Sequence, residues 1–265
     1  MTALIHPTAL VAPGAELDTD VRVGPYTVIG SHVRIGARTE VGAHCVLDGH
    51  TTIGPDNRIA SHNVLGCAPQ DVKYAGEPCE LVIGARNQIR EFCTFSIGSA
   101  TGRGRTELGD DNFIMAYVHL AHDCVVGSHT IFANNSQLAG HVSVGDWCVL
   151  GGFTVVRQFL RIGPHAMTAM SSLLFADVPP FVMTQGQPAD ARGVNSVGLK
   201  RRGFSERRVA AVKAMHRLLY RDGRTLQDAM LQLPQVAATY PEAQADVQLM
   251  QTFLQGVDAR RGIVR

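Results

Sequence analysis

The sequence predicts a mainly β fold: a parallel β-helix over residues 1–189 followed by a small α-helical domain over 190–265. Three observations carry this. Aliphatic residues recur at a fixed period of six, small residues commonly follow them, and beyond about Gln187 the period gives way to helical spacing.

Stepping by six from Ile5 meets Val11, Leu17, Val23, Ile29, Ile35, Val41, Leu47, Ile53, Ile59 and Leu65. Gly or Ala commonly comes next, as at Gly24, Gly36, Gly42 and Gly54. The register breaks over 66–80 and resumes at Ile83, Ile89 and Phe95. It breaks again over 98–106, then runs from Leu108 to Ile162, with a polar Thr168 before the closing Leu174. A strand sends alternate side chains to opposite faces, so this period means one inward aliphatic per short strand and a small residue at each corner. Three strands make a coil of about eighteen residues, and coils stack at about 4.8 Å, aliphatic over aliphatic. A sandwich has no reason to keep a fixed period for so long. The two breaks read as loops leaving the prism, where binding residues tend to gather on a rigid scaffold.

In the C-terminal part, Ser205 caps a helix running through Arg221, with Gly223 as its stop. Val209, Val212, Met215, Leu218 and Leu219 supply its apolar face. Thr225 caps a second helix, expected to end before Pro234, and a third starts near Pro241 and passes Leu254.

The chain has 265 residues, 45% of them hydrophobic, which is ample for a core. A net charge of +1 gives no whole-chain field to draw nucleic acid or a membrane surface. The six cysteines form no CxxC pair, which excludes a zinc-ribbon or redox signature and suggests small buried hydrophobes in a reducing compartment. Met1–Ala12 lacks the pattern of a signal peptide, and no apolar run reaches membrane-spanning length. A soluble, cytoplasmic protein is expected.

The period of six resembles the hexapeptide-repeat acyltransferases, and that resemblance implies a left-handed coil. Five segments narrow it: Gln70–Pro78 in the first loop, Ala121–Cys124, Ala139–Val142, Asp177–Pro180 at the end of the repeats, and Gly198–Ser205. In this order they resemble the UDP-N-acetylglucosamine O-acyltransferase family of lipid A synthesis, over essentially the whole chain. The resemblance implies a homotrimer with clefts between prisms, a 3-hydroxyacyl chain arriving on acyl carrier protein, UDP-N-acetylglucosamine as acceptor, no cofactor and no acyl-enzyme.

Acyl transfer to a sugar hydroxyl needs a base, and an imidazole is suited to it. The matching motif makes His122 that base, with Asp123 beside it to orient the ring. Gly140 follows His122 by eighteen residues, one coil, so it stacks beside it and offers an N–H to the oxyanion. By the same resemblance Gln70, Asp71, Lys73, His141 and Gln158 bind substrate. Asn195, Arg201 and Arg202 match the nucleotide segment, where paired arginines next to a helix start suit a diphosphate. Arg207, Arg208, Lys213, Arg217, Arg221 and Arg224 form a basic face for an acidic carrier protein. His119 and His122 lack the intervening acid of a HExxH motif, so no metal is expected.

Some positions depart from the family pattern. Ser96 and Arg157 stand where histidine is common, and Val197 where an acid is common. A 3-amino acceptor or a non-catalytic binding protein therefore stays open as an alternative. Met170 occupies an acyl-groove position about 2.7 coils, or roughly 13 Å, beyond His122. Its bulk is expected to stop the chain near about ten carbons.

Overall fold

The computed structural model describes residues 4–265. Short strands, mostly of two residues, stack in parallel into three sheets that form the sides of a prism. Leu4–Ile5 starts the first sheet, Leu10–Val11 the second and Glu16–Leu17 the third. Pairing is one coil to the next, as in Arg22↔Glu40 and Ile59↔Ile89. The period-six aliphatics all point inward. Ile29, Leu47, Leu65, Ile89, Phe95, Ile114, Leu120, Phe132 and Leu138 are completely buried. Each such side chain contributes on the order of 2 kcal/mol by leaving water. Ile5, in the first coil of the described residues, stays 43% exposed.

The corner is made differently from expectation. Gly24 and Gly42 are small because coils approach closely: a Cβ on Gly24 would lie 2.7 Å from the Gly42 carbonyl carbon. The turn itself is made two residues later by a non-glycine residue in the left-handed region, such as Tyr26, Arg38, His44 or Asp56. That conformation costs energy. It is offset by a backbone bond to the coil before, as from His44 N to Pro25 O at 2.9 Å. Polar ladders fill the inner corners, with Asn87 Nδ2 donating to Asn57 Oδ1 and Asn112 Nδ2 to Asn87 Oδ1. Buried Cys45, Cys124 and Cys148 stand at inner-corner positions taken elsewhere by threonine, and their thiols reach corner carbonyls at 3.1–3.2 Å. Cys67 is the half-exposed exception to the expected burial of the cysteines.

The loops are slightly shorter than the sequence breaks suggest. A strand runs on to Cys67 and the next begins at Glu80; the second loop lies between Ser96 and Arg105. Both loops leave after a second-sheet strand, at the corner between the second and third sheets.

The parallel stack closes with an antiparallel hairpin, Val182–Gly186 against Ala189–Val194, so strand structure continues past 189. Helices α1 (Ser196–Arg201), α2 (Glu206–Tyr220), α3 (Leu226–Thr239) and α4 (Gln244–Gln255) follow. Ser205 and Thr225 cap α2 and α3 through their hydroxyls. Helix α3 does not stop before Pro234. Leu233, Val236 and Ala237 pack into the helical core on either side of it, and that burial outweighs the missing backbone donor. Tyr220 touches both the helical core and the prism core.

Candidate active site

His122 follows the second-sheet strand His119–Leu120, in the coil directly after the two that carry loops. Asp123 takes the left-handed corner position, φ +61°, and is fully buried. His122 Nδ1 lies 2.8 Å from Asp123 Oδ2. The same carboxylate accepts the Ser99 hydroxyl at 2.6 Å, the Ser99 amide at 3.2 Å and the Arg103 amide at 2.8 Å. Burial alone would raise the Asp123 pKa. The bonds from Ser99, His122 and Arg103 outweigh it and hold the carboxyl below its ordinary value.

One coil on, Gly140 packs against the imidazole face. A Cβ there would lie 2.7 Å from both His122 Cε1 and Nε2. The Gly140 N–H finds no backbone acceptor among the described residues, while the next amide, His141 N, donates to His122 O. His141 meets His122 edge-on at 5.0 Å, and its Nε2 is 3.8 Å from Asp123 Oδ2. Its pKa is lowered, chiefly by burial, against an upward pull from Asp123 and Asp71. His119 is lowered for the same first reason, and its Nδ1 pairs with Thr94 Oγ1 at 2.7 Å. Ser96 is buried beside Cys67 Sγ at 3.6 Å. His122, Asp123 and His141 place three metal-type donors within 4.8 Å of one another. The Asp123 oxygens already accept hydrogen bonds from Ser99 and Arg103 and pair with His122 Nδ1.

The structure thus gathers His122, Asp123, Gly140 and His141, with the Asp71 charge acting on His141. Gln158 stands one further coil along, exposed, beside exposed Arg157. Lys73 is exposed on the first loop, its amide donating to Asp71 Oδ1, and Gln70 is exposed next to it. Met170 lies at the other edge of the second sheet, 72% exposed.

The nucleotide-segment residues sit elsewhere. Arg201 and Arg202 end α1, a helix the sequence did not predict, whose N-cap Asn195 accepts Gly198 N on Oδ1 at 3.1 Å, and they stand as expected just before the start of α2, capped by Ser205. Arg202 reaches inward to His165 Nδ1 at 3.2 Å and lies over Trp147, which leaves Arg201 as the exposed member of the pair. The basic face is also thinner than the sequence suggests. Arg208 is tied to buried Asp246 at 2.8 Å, Arg207 faces Glu242, and Arg217 and Arg224 face Asp222.

Sequence reasoning missed Ser99 and Arg103, which hold the carboxylate. Their signal was available, because the second loop leaves at the corner one coil before His122.

The chain is similar to known proteins over nearly its whole length. A family model described as "Udp N-acetylglucosamine O-acyltransferase; Domain 2" matches residues 177–264, and one for the bacterial transferase hexapeptide matches 105–140. An acyl-[acyl-carrier-protein]–UDP-N-acetylglucosamine O-acyltransferase of Albidiferax ferrireducens is 65% identical, covering 98% of this chain and 99% of its own. One from Thiobacillus denitrificans is 61% identical over 99% of this chain and 100% of its own. Among solved structures, the LpxA of Acinetobacter baumannii superposes with a TM-score of 0.93 at 39% identity, covering 99% and 100% of the two chains. The UDP-N-acetylglucosamine acyltransferase of Francisella novicida gives 0.94 at 35%, covering 99% and 94%.

Proposed function

The chain belongs to the family of acyl-[acyl-carrier-protein]–UDP-N-acetylglucosamine O-acyltransferases, and from that membership we propose how its own residues carry the transfer. The protein is a left-handed β-helix acyltransferase that moves an acyl chain from acyl carrier protein to UDP-N-acetylglucosamine, the first step of lipid A biosynthesis.

His122 is the general base. The observation that carries this is its 2.8 Å bond to the buried Asp123 carboxylate. With Nδ1–H donated there, the neutral ring presents Nε2 as an acceptor. The 3-hydroxyl of the sugar gives its proton to Nε2 while its oxygen attacks the thioester carbon. Charge gathers on the carbonyl oxygen, where the Gly140 N–H donates to it. Collapse breaks the C–S bond, and His122 returns the proton to the departing carrier thiolate. Asp123 stays ionised and stabilises the imidazolium in between. Asp71, Lys73, Gln70, His141 and Gln158 hold the sugar and its surroundings, and Asn195 and Arg201 meet the nucleotide. Arg202 acts mainly by seating that segment on His165 and Trp147.

The assembly is a homotrimer. Support comes from the outward face of the second sheet, where Leu10, Val28 and Val46 are exposed, and from its edge, where Tyr26, Phe92, Tyr117 and Phe153 are exposed. So large an apolar surface marks an interface. Met170 and His122 lie on opposite edges of this sheet, so the Met170 ruler works across the cleft, on an acyl chain bound at a neighbour's His122. Acyl carrier protein docks on Lys213 of α2 and Arg221 at its C-cap, which keep no acidic partner among the described residues. No helix is long and apolar enough to cross a membrane. We place the enzyme in the cytoplasm with its nucleotide-sugar substrate.

The test is turnover with UDP-N-acetylglucosamine and 3-hydroxyacyl carrier proteins of ten, twelve and fourteen carbons, with His122→Ala in parallel. The mutant is expected to lose about 10²–10⁴-fold, and the shortest donor to be preferred. Equal turnover of the fourteen-carbon donor overturns the Met170 ruler. A fully active His122→Ala overturns the base. No transfer to the hydroxy sugar by wild type, with transfer to the 3-amino sugar, moves the acceptor.

A further inference from the structure

We propose that the loop between Ser96 and Arg105 is a strap that holds the catalytic carboxylate, with Ser99 as its positioning residue. This rests on the reading of His122 as base.

Ser99 is 3% exposed and gives Asp123 two donors, its hydroxyl at 2.6 Å and its amide at 3.2 Å. The hydroxyl meets Oδ2, the oxygen that also takes His122 Nδ1. Arg103 N holds the other oxygen at 2.8 Å. The loop is braced on itself, since Gly102 N and Gly104 N both donate to Ser99 O at 3.0 Å. It also lies directly on the site: a Cβ at Gly102 would fall 2.4 Å from Asp123 Oδ2 and 2.6 Å from His141 Cε1. Apart from the first loop, one coil earlier at the same corner, the repeat turns its corners without such a segment. An insertion whose polar groups converge on one carboxylate therefore has a purpose beyond turning the chain.

The donors are all neutral. The Arg103 guanidinium is directed to Glu107 at 3.1 Å instead. A cationic clamp would cancel the charge that the imidazolium needs. A hydroxyl and two amides fix the carboxylate in place and leave its charge available to His122. The other titratable groups around His122 are His119 on the preceding strand and His141 on the next coil, with Asp71 acting through His141. None of them contacts Ser99 among the described residues.

Removing the Ser99 hydroxyl has two consequences. The carboxylate loses a restraint, so the ring is less well aimed. Oδ2 also loses a competing donor, so it favours protonated His122 more strongly. Ser99→Ala should lower kcat by about 10-fold with KM for UDP-N-acetylglucosamine within about 2-fold, and move the acid limb of the kcat/KM profile up by roughly half a unit. Ser99→Thr, which keeps the hydroxyl, should restore both. A purely structural role would lower the yield of folded protein without moving the limb. The titration of His122 followed by imidazole NMR in folded Ser99→Ala protein reads the strap without turnover. An unmoved titration overturns the strap even if His122 is the base. A shifted titration in a protein whose His122→Ala variant keeps full turnover upholds the strap and rejects the base.

Discussion

Asp111 and Asp123 occupy the same backbone slot at two corners of one prism, and they do different things. Both turn the chain in the left-handed region, with φ of +57° and +61°. Asp111, between the third and first sheets, is held by Arg86 at 2.8 Å and is partly exposed. Arg86 keeps its carboxyl below the ordinary range, and the same tie recurs between Arg38 and Asp56. Asp123, between the second and third sheets, is sealed by an inserted loop and held by neutral donors and one imidazole. In the proposed mechanism, neither the residue type nor the turn makes a carboxylate reactive. What differs is the cover, which removes water and replaces a guanidinium with groups that leave the charge unspent.

The largest effect that would break this contrast is at Gly140. An added methyl there meets the His122 ring at 2.7 Å and crowds the proposed oxyanion site. Gly140→Ala should cost roughly 10²–10³-fold in kcat/KM, while the melting temperature barely changes. Retention of activity within tenfold of wild type would remove Gly140 from the chemistry and leave it a packing residue.

The fold was legible because the period of six is set by geometry that every coil repeats. That Gly140 and His141 lie beside His122 and Asp123 was legible as well, since a spacing of eighteen fixes which residues stack; the choice of His122 itself rested on the motif. The strap was half legible. Counting the aliphatics in threes places Leu65, Phe95 and Leu120 all on the second sheet, so both loops and His122 share one corner. No spacing rule says that Ser99 turns back onto Asp123, because an irregular loop has no period to read. Pro234 misled for a related reason: local propensity argued for a stop, and burial of Leu233 and Val236 in the helical core decided otherwise. The paired arginines looked alike in sequence, but Arg202 reaches an aromatic corner only the folded chain provides.

A second buried carboxylate sharpens the comparison. Asp177 is fully buried, like Asp123, but it is held by a cation: Arg161 donates to it through N and Nε, both at 2.9 Å. The guanidinium also reaches Phe253 O at 2.9 Å and lies over that ring, tying α4 to the prism. Arg161→Ala leaves a buried charge without its partner and should lower stability by roughly 3 kcal/mol, measured by denaturant unfolding. A loss as small as that of a surface pair would show that water reaches Asp177.

The junction also carries a pH dependence. Burial first and Arg202 second push His165 down to about 4. Its folded value lies below the unfolded one, so its contribution is complete above the ordinary histidine range, about 6.5, and is lost as pH falls toward 4. Melting temperature should therefore fall across that window in wild type and fall less in His165→Gln, which keeps an acceptor for Arg202 but does not titrate. Parallel curves would assign the acid sensitivity to another group.

The smallest effect belongs to the open corner. Arg86 bridges Asp110 and Asp111, with both sides in water. Exposed ion pairs lose most of their Coulomb attraction to the solvent and to salt. Arg86→Ala should shift the melting temperature by no more than about 2 °C, with the difference shrinking further at high salt and turnover unchanged. It is the counterpart of Ser99→Ala: both remove one hydrogen-bonding partner from an aspartate in the same backbone slot. If Arg86→Ala lowered turnover as much as the strap mutation, the two corners would be coupled along the coil, and cover alone would no longer explain why one aspartate supports chemistry.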